Sequence, residues 1–331
     1  MTTRRHFHAQ ALGLGAAALG LPALAQTSDY PQRPIKVIVP YAAGGGPDVL
    51  TRRMAVKLAE VLGPGSVVVV DNIVGAGGIL AAQSVARAAP DGYTLLTGAS
   101  THVTQKAMQP SVRFDPDRDF AHITLTSVSP QMLVVAANAP YRHLDDLVAA
   151  ARRAPGLLNY ASGGIGSAAH LAGAATVLQA GIEVVHVPYK GSVEIVPSII
   201  AGATQFAFPV ASTAIPHIQS GKVRPLAVTS AVRMPAYPGV PTLREALRND
   251  DLVLDSWSGL WAPAGTPGVV VERLFKALIA THADPEVRAH IEAAGAAVSV
   301  SASPAEFTQF VRAETVKFER IVKAANLKVN G

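Results

Sequence analysis

Three apolar runs, separated by two segments with helical character, constrain the fold more than any other feature of this sequence. The runs lie at 35–40, 66–71 and 93–100. Between the first two, apolar residues from Leu50 to Leu62 recur at the spacing of one helix face, which predicts a helix. Strands without polar alternation are covered on both faces, and helices between them imply crossover connections. The pattern therefore predicts a doubly wound sheet with parallel pairing.

A second group of strand-like runs follows, at 131–137, 157–162, 183–191, 204–210 and 224–230. We expect these runs to form a second sheet. The chain then ends in three predicted helices, with only the short run 297–300 available as a strand, so we expect this tail to complete the first sheet.

The sequence thus predicts an α/β protein of two lobes, each a mainly parallel sheet flanked by helices. Lobe 1 is expected to comprise 26–129 plus 251–331, and lobe 2 to comprise 130–250. The chain would cross between the lobes near Ser129 and near Asp250. A cleft bordered by the carboxyl ends of both sheets is where open α/β sheets bind ligands.

Residues 1–25 have the composition of an export signal. Arg4 and Arg5 precede the apolar run 11–21, and the small residues at 23–25 form a cleavage signature. The arginine pair is similar to a twin-arginine signal, with general secretion as the alternative. No later run reaches the roughly 20 apolar residues of a membrane span. We therefore expect a periplasmic protein whose signal is removed.

Charge and cysteine content narrow the function classes. Removal of the signal lowers the formal net charge from +5 to +3, and no basic run is interleaved with aromatic residues. These features argue against a nucleic-acid-binding protein and suit a small anionic ligand. The chain has no cysteine, which excludes disulfides and a lipid-modified cysteine.

Three glycine-rich stretches precede predicted helices, at 44–46, 74–78 and 161–167. The first lacks the Gly-Lys-Ser/Thr of a phosphate-binding loop, and Val49 stands where a dinucleotide fingerprint needs a third glycine. Glycine still lets the backbone approach a ligand, and free N–H groups at a helix start favour an anion. A carboxylate suits such a pocket. The alternative is a tight turn in which Asp48 caps its own helix.

Candidate catalytic groups are sparse. Ser167 and His170 lie three residues apart on a predicted helix, but without a Gly-x-Ser-x-Gly elbow or an acid nearby in sequence. A packed histidine is the alternative. No histidines have metal-ligand spacing, so we expect neither a metal nor a cofactor. Ser100 and Thr101 follow a strand, and they either bind a ligand oxygen or cap the next segment.

Seven stretches together resemble one protein family. They are PYAAGGGPDVLTR, VDNIVGAGG, AAPDGYTLL, ASGGIGSAAHLAG, VPYKG, LAVTS and WAPAGTP, and they span nearly the whole mature chain in order. The set resembles the Bug-type, TctC-like receptors of tripartite tricarboxylate transporters. The resemblance implies a type II periplasmic-binding fold that closes over a small organic anion, without catalysis. That anion would be a mono-, di- or tricarboxylate, with aromatic acids among the candidates, and it would be delivered to membrane components.

The resemblance also implies which residues bind, through main-chain N–H groups and hydroxyls. The first-lobe loop comprises Tyr41, Ala42, Ala43, Gly44 and Gly45 with Asp48, and Gly77 and Gly78 lie beside it. The opposing loop comprises Ser162, Gly163, Gly164 and Ser167, and further contacts are implied for Ser100, Thr101, Tyr189 and Pro209.

One strand departs from the family pattern. Many relatives have an acidic D-L-M-F-D strand where this chain has QFAFP, which places Gln205 and Pro209 at the two acid positions. Loss of the second acid predicts poor binding of ligands that carry an ammonium group. His102, Trp257 and Trp261 suit a bulky, flat ligand, although the tryptophans equally suit core packing.

Two other functions stay open at this stage. One is a hydrolase-like enzyme for small acids that uses Ser167 and His170. The other is a sensing module that presents its closed form to a membrane kinase.

Overall fold

Eleven strands and eleven α-helices make up the part of the chain that the computed structural model describes, which is residues 30–109, 111–189 and 191–327. The strands are β1 (Ile35–Val39), β2 (Val68–Asn72), β3 (Thr94–Ala99), β4 (Phe120–Ser129), β5 (Met132–Ala136), β6 (Asn159–Ser162), β7 (Val185–Pro188), β8 (Phe206–Ala207), β9 (Val223–Val228), β10 (Ser256–Pro263) and β11 (Ala297–Val298).

The helices are α1 (Gly46–Leu62), α2 (Ile79–Ala86), α3 (Ser100–Met108), α4 (Leu144–Arg153), α5 (Ala168–Ala180), α6 (Ile195–Ile200), α7 (Ala211–Gln219), α8 (Leu243–Leu247), α9 (Gly268–Ala283), α10 (Pro285–Ala293) and α11 (Pro304–Ala324). The three helices predicted for the tail are present as α9, α10 and α11. Among the described residues, no helix is long and apolar enough to cross a membrane. The predicted export signal at 1–25 lies outside the described residues.

These strands form two sheets with helices beside them, which confirms the predicted α/β fold class. Lobe 1 is built on the sheet with strand order β11-β4-β10-β3-β1-β2, and lobe 2 on the sheet with order β7-β6-β8-β5-β9. The strands change sheet between Ser129 and Met132 and again between Val228 and Ser256. The division of the chain at 129/130 and 250/251 stays a prediction.

Antiparallel strands occur in both lobes. In lobe 1, β1 is parallel to β2 and β3, β10 lies between β3 and β4 and is antiparallel to both, and the edge strand β11 is antiparallel to β4. In lobe 2, β6 is parallel to β7 and β8, whereas β5 is antiparallel to β8 and β9. Both β5 and β10 are the first strands after a change of lobe. Each enters its sheet at the edge where the parallel strands end, so it runs away from that edge. The sequence analysis identified neither β4 nor β10 as a strand.

An aromatic cluster forms the core of lobe 1. Trp261 is fully buried, its ring 5.6 Å from that of His102 and 5.1 Å from that of Phe120. The Trp257 indole Nε1–H donates a hydrogen bond of 2.8 Å to the buried carboxylate of Glu314 on α11. Of the two alternatives for the tryptophans, core packing is therefore the one observed, and His102 is buried with them.

The last helix connects the two cores. Ile321 on α11 packs against the hydrophobic clusters of both lobes. Leu171 on α5 of lobe 2 is a member of the lobe 1 cluster. The lobes are therefore joined by apolar packing as well as by the two chain crossings.

We predict that Gly98→Ala destabilises lobe 1. A Cβ at Gly98 of β3 would overlap the ring of Trp261 on the neighbouring β10. Overpacking of this kind costs about 1–3 kcal/mol, which urea unfolding will measure as a lower unfolding midpoint. Gly239→Ala is the matched control, because a Cβ there meets no atom within 4 Å. Equal midpoints for the two variants would contradict the tight packing of Trp261.

Candidate functional site

The predicted binding residues lie at the carboxyl ends of strands in both lobes. In lobe 1 the loop from Tyr41 to Gly45 follows β1, and Ser100 begins α3 directly after β3. In lobe 2 the loop from Ser162 to Ser167 follows β6, Tyr189 follows β7 and Pro209 follows β8. Parallel strands end at one edge of a sheet, so each lobe gathers its loops at one edge.

The glycine loop after β1 already holds a carboxylate, that of Asp48. The Gly44 N–H donates to Asp48 Oδ2 at 2.8 Å, and the Gly45 N–H donates to the carbonyl of Ala42 at 3.3 Å. Asp48 is buried. The structure therefore forms the tight turn that the sequence left as an alternative. The N–H groups of Gly44 and Gly45 are used within the loop, and Asp48 positions the loop.

Asn72 and Arg52 hold Asp48 in place. Asn72 Nδ2 donates to Asp48 Oδ1 at 2.8 Å and to the carbonyl of Tyr41 at 2.9 Å, while Arg52 Nε donates to Asp48 Oδ2 at 3.0 Å. Burial raises the pKa of Asp48, but the hydrogen bonds from Arg52, Gly44 and Asn72 outweigh it and hold that pKa below its usual value. Sequence reasoning missed Asn72 and Arg52. The four-residue spacing of Asp48 and Arg52 on a helix was the available signal.

Three hydroxyls lie beside this loop. The Tyr41 hydroxyl is 3.3 Å from Thr101 Oγ1, and burial raises the pKa of Tyr41, so the phenol stays neutral. Ser100 Oγ is buried and has no hydrogen-bond partner among the described residues. A buried hydroxyl without a partner is satisfied by a water or by a ligand oxygen.

Gly77 and Gly78 allow close packing of the side chains beside them, and the N–H of Gly78 is used within its own turn. The Gly78 N–H donates to the carbonyl of Gly75 at 3.0 Å. A Cβ at Gly77 would overlap the side-chain amide of Gln105, and one at Gly78 would lie 3.2 Å from His102 Nε2.

Internal hydrogen bonds also fix the loop of lobe 2. Ser162 Oγ is 2.7 Å from His186 Nε2 and accepts the Gly164 N–H at 3.2 Å. The Ser167 N–H donates to the Gly164 carbonyl at 3.2 Å, and the Tyr189 N–H donates to the Ser162 carbonyl at 2.8 Å. The loop is therefore ordered by its own contacts, and Gly163, Gly164 and Ser167 are half-buried.

The geometry of Ser167 and His170 does not support the hydrolase alternative. Ser167 Oγ accepts the main-chain N–H of His170 at 3.3 Å and so caps α5, while His170 Nδ1 accepts the Gly166 N–H at 3.1 Å. The His170 ring stacks on His186 with centroids 4.0 Å apart. Burial lowers the pKa of His170 to about 4. This histidine is a packed, neutral ring that makes no side-chain bond to Ser167.

Gln105 of α3 spans the gap between the lobes. Its Nε2 donates to the carbonyl of Ile165 in lobe 2 at 3.4 Å, and its Oε1 accepts from Gln109 at 2.9 Å. Its side-chain amide also contacts Gly77 of lobe 1 and Gly166 of lobe 2. Sequence reasoning missed this residue, because a glutamine on a helix carries no motif.

Pro209 belongs to the connection between the lobes. It is buried, and its carbonyl accepts the N–H of Met132 at the start of β5. Beside it, Gln131 Nε2 donates to the carbonyl of Leu254 at 2.8 Å, which ties one chain crossing to the other.

Gln205 lies at the opposite end of β8, where its Oε1 accepts the Asn159 N–H. Gln205, at the first of the two positions where many relatives have an acid, is therefore remote from the cleft.

Comparison with known proteins gives the family. Residues 50–327 match the model described as "Tripartite tricarboxylate transporter family receptor". A Pseudomonas sp. (strain P51) protein, described as the UPF0065 protein in the tcbD-tcbE intergenic region, is 35% identical over 91% of this chain and 89% of its own length. The chain belongs to this family.

Two solved structures of receptors agree with that assignment. The periplasmic binding protein BugD is 31% identical, with a TM-score of 0.78 over 90% of this chain and 99% of its own. Rpa4515 of R. palustris with adipate is 31% identical, with a TM-score of 0.80 over the same shares of the two chains. The Bug-type resemblance and the two-lobed periplasmic-binding fold are confirmed. In the described part of this receptor, no group of three or more His, Asp or Glu side chains is arranged to hold a metal ion.

We predict that Asp48→Asn destabilises the receptor by about 1–3 kcal/mol, because it weakens the acceptor for the Gly44 N–H and the Arg52 guanidinium at a buried position. Asp71→Asn is the matched control. Its carboxylate pairs with Lys36 at 3.6 Å on the exposed surface, where such a pair contributes at most about 1 kcal/mol. Urea unfolding measures both, and a smaller loss for Asp48→Asn than for Asp71→Asn would show that the loop does not depend on this carboxylate.

We also predict that the receptor loses stability as the pH falls from about 6.5 to about 4. Burial lowers the pKa of His102 and His170 to about 4 and that of His186 to about 3. Over that range the unfolded chain binds protons that the folded protein does not, so the free energy of unfolding decreases. Asp255 acts in the opposite sense, because burial raises its pKa to about 6. We expect the combined contribution of the three histidines to the free energy of unfolding to exceed that of this one carboxyl group.

Urea unfolding at pH 7, 5.5 and 4.5 measures this dependence. His102→Gln is expected to reduce the slope, and His143→Gln, at an exposed position, is the control variant. A free energy of unfolding that stays constant or rises on acidification would show that these three histidines do not control acid stability.

Proposed function

We propose that the protein is a periplasmic receptor that captures a small organic carboxylate between its lobes and delivers it to the membrane components of a tripartite tricarboxylate transporter. The family match supports the receptor role. Rpa4515, which is similar over nearly the whole chain, has adipate bound, and this supports a carboxylate as the ligand class. The observation that carries the proposal is the contact of Gln105 with Ile165, since it brings the strand-end loops of the two lobes together.

The direct ligand contacts that we propose are fewer than the sequence implied. Among the described residues, the N–H groups of Ala43 and Gly163 have no hydrogen-bond partner, and both residues lie in the two opposing loops. The hydroxyls of Tyr41, Thr101 and Ser167 are the side-chain donors that accompany them. Gly44, Gly45, Asp48, Gly77, Gly78, Gly164 and Pro209 are assigned to building the site, and Ala42, Ser100, Ser162 and Tyr189 border it.

Hydrogen bonds alone do not account for tight capture. Four bonds to a carboxylate, at roughly 1.5–3 kcal/mol each, give about 6–12 kcal/mol. Association costs on the order of 4–15 kcal/mol in lost freedom, and micromolar binding needs about −8 kcal/mol net. Apolar surface buried between the lobes has to supply the remainder.

Calorimetry on the mature chain with mono-, di- and tricarboxylates tests the proposal. At least one of these acids is expected to bind without turnover. If none binds, or if an acid is consumed, the protein is not a carboxylate receptor.

We predict that Gln105→Ala weakens binding of that acid about two- to tenfold, because it removes an interlobe hydrogen bond worth about 0.5–1.5 kcal/mol that favours the closed form. Gln179→Ala is the matched control. Gln179 also makes two side-chain hydrogen bonds, to Leu247 and Asn249, but within lobe 2. Equal affinities for the two variants would show that Gln105 plays no part in closure.

A further inference from the structure

A cavity of about 140 Å³ lies at the chain crossings and has walls from both lobes. We call it the crossing cavity. Lobe 2 contributes Val210 and Ser212, at the start of α7, and lobe 1 contributes the other walls. Ser212 is exposed and lies next to Gly295 of lobe 1, where an added Cβ would come 3.1 Å from the Ser212 nitrogen. The mouth of the crossing cavity is therefore at Ser212, on the boundary between the lobes.

Two rows of serines form one wall of the crossing cavity. Ser127 and Ser258 are opposite each other on β4 and β10, and Ser129 and Ser256 are opposite each other two residues farther along. The hydroxyls of the first row are bonded to each other, with their oxygens 2.8 Å apart. Those of the second row, Ser129 and Ser256, have no hydrogen-bond partner among the described residues. The second row therefore has two unused O–H donors.

The start of α7 adds donors to the second row. The Ala211 N–H donates to the Pro130 carbonyl at 2.9 Å, which places α7 beside Ser129. In the part of the chain that the structure describes, neither the hydroxyl nor the main-chain N–H of Ser212 has a partner. We call Ser129, Ser212 and Ser256 the serine cluster. Three hydroxyls and an N–H group at a helix start are donors that suit the oxygens of a carboxylate.

His282 supplies an acceptor in the wall of the same cavity. It lies in the last turn of α9, with only 2% of its surface exposed. Its Nδ1 is 2.8 Å from the Leu278 carbonyl, and because a carbonyl only accepts, Nδ1 carries the proton. Burial lowers the pKa of His282, so the ring is neutral and Nε2 has a lone pair. No described residue donates to that nitrogen, so a donor from a bound molecule or a water satisfies it.

The volume of the crossing cavity fits one short organic molecule. A cavity of roughly 150 Å³ holds one benzene molecule, which has about six non-hydrogen atoms, and the crossing cavity is of similar size. Trp257 and Leu260, both buried, provide apolar contact for the carbon atoms of such a molecule. Its polar groups then meet the donors of the serine cluster and the acceptor of His282.

We infer that the crossing cavity is a binding site for a short hydroxy acid. The carboxylate of the acid binds the serine cluster at the start of α7, and its hydroxyl donates to His282 Nε2. Of the donors that we propose in the carboxylate loops, the site shares only Tyr41. The inference goes beyond the proposed receptor function, because it assigns a second site with donors of its own. An acid without a hydroxyl would leave the His282 lone pair unsatisfied, and the site therefore selects hydroxy acids.

Isothermal titration calorimetry on the mature chain with lactate, propionate and lactamide tests the inference. Propionate lacks the hydroxyl of lactate, and lactamide lacks its charge. We expect lactate to bind at least fivefold more tightly than either compound, and a smaller difference from either overturns the inference. If lactate does not bind but another carboxylate does, the inference is wrong while the receptor function stands. If no carboxylate binds, both are wrong.

A substitution at His282 locates the hydroxyl of the acid. We expect His282→Phe to weaken lactate binding at least fivefold and propionate binding less than twofold, because only lactate donates to the imidazole. His122→Phe is the matched control. His122 is also buried in lobe 1, but its two nitrogens are bonded to Thr308 and Pro116, and it does not line the cavity. Equal effects of the two substitutions on lactate binding would overturn the inference.

Thermal unfolding of each variant shows that it is folded before binding is compared. Should His282→Phe not fold, Ser256→Ala tests the carboxylate end of the site, because it removes one hydroxyl of the serine cluster. We expect it to weaken lactate binding at least threefold. Ser230→Ala is its matched control, since Ser230 is also half-buried but does not line the cavity. Equal lactate affinities of these two variants would place lactate outside the crossing cavity and refute the inference.

Discussion

The chain leaves each sheet at the carboxyl ends of its parallel strands, and it enters the other sheet at the carboxyl ends of the parallel strands there. This constraint determines much of the molecule, because it makes β5 and β10 antiparallel to their neighbours and turns the strand-end loops of both lobes toward each other. The two crossings are tied together by the Gln131 amide on the Leu254 carbonyl. The position of the candidate site follows from this geometry, since open α/β sheets bind ligands outside the carboxyl ends of their strands.

The glycine loops contribute order more than open donors. The Gly44 N–H already donates a hydrogen bond to Asp48, so it is not available to a ligand. Its bond instead fixes the backbone around the position where we propose that the ligand binds. Such preorganisation reduces the entropy lost on association. The N–H groups of Ala43 and Gly163, which we propose as ligand donors, therefore lie in loops that are already ordered.

The sequence predicted the features that repeat locally. Runs such as 35–39 and the apolar face of α1 have a period that determines strand or helix, and the tail helices were found in the same way. The glycine stretches correctly marked the loops at the strand ends. The strands β4 and β10 were not predicted, because polar residues such as Ser127 and Ser258 interrupt their apolar pattern.

The side-chain partners could not be predicted, because they depend on residues far apart in the chain. Nothing local indicates that Asn72 bonds Asp48, or that His170 turns its ring toward His186 rather than toward Ser167. The same holds for His102 and Trp261. Their aromatic side chains suggested contact with a flat ligand, but both are fully buried and pack against each other in the core of lobe 1.

The side-chain amide of Gln105 touches one glycine from each lobe, and a Cβ at Gly166 would lie 2.9 Å from its nitrogen. Gly166 thus leaves room for that amide between the two halves. A methyl group there would displace the flexible end of Gln105 and would strain the backbone, whose φ is +78°, so this one carbon atom would disturb the contact that joins the loops of the two lobes.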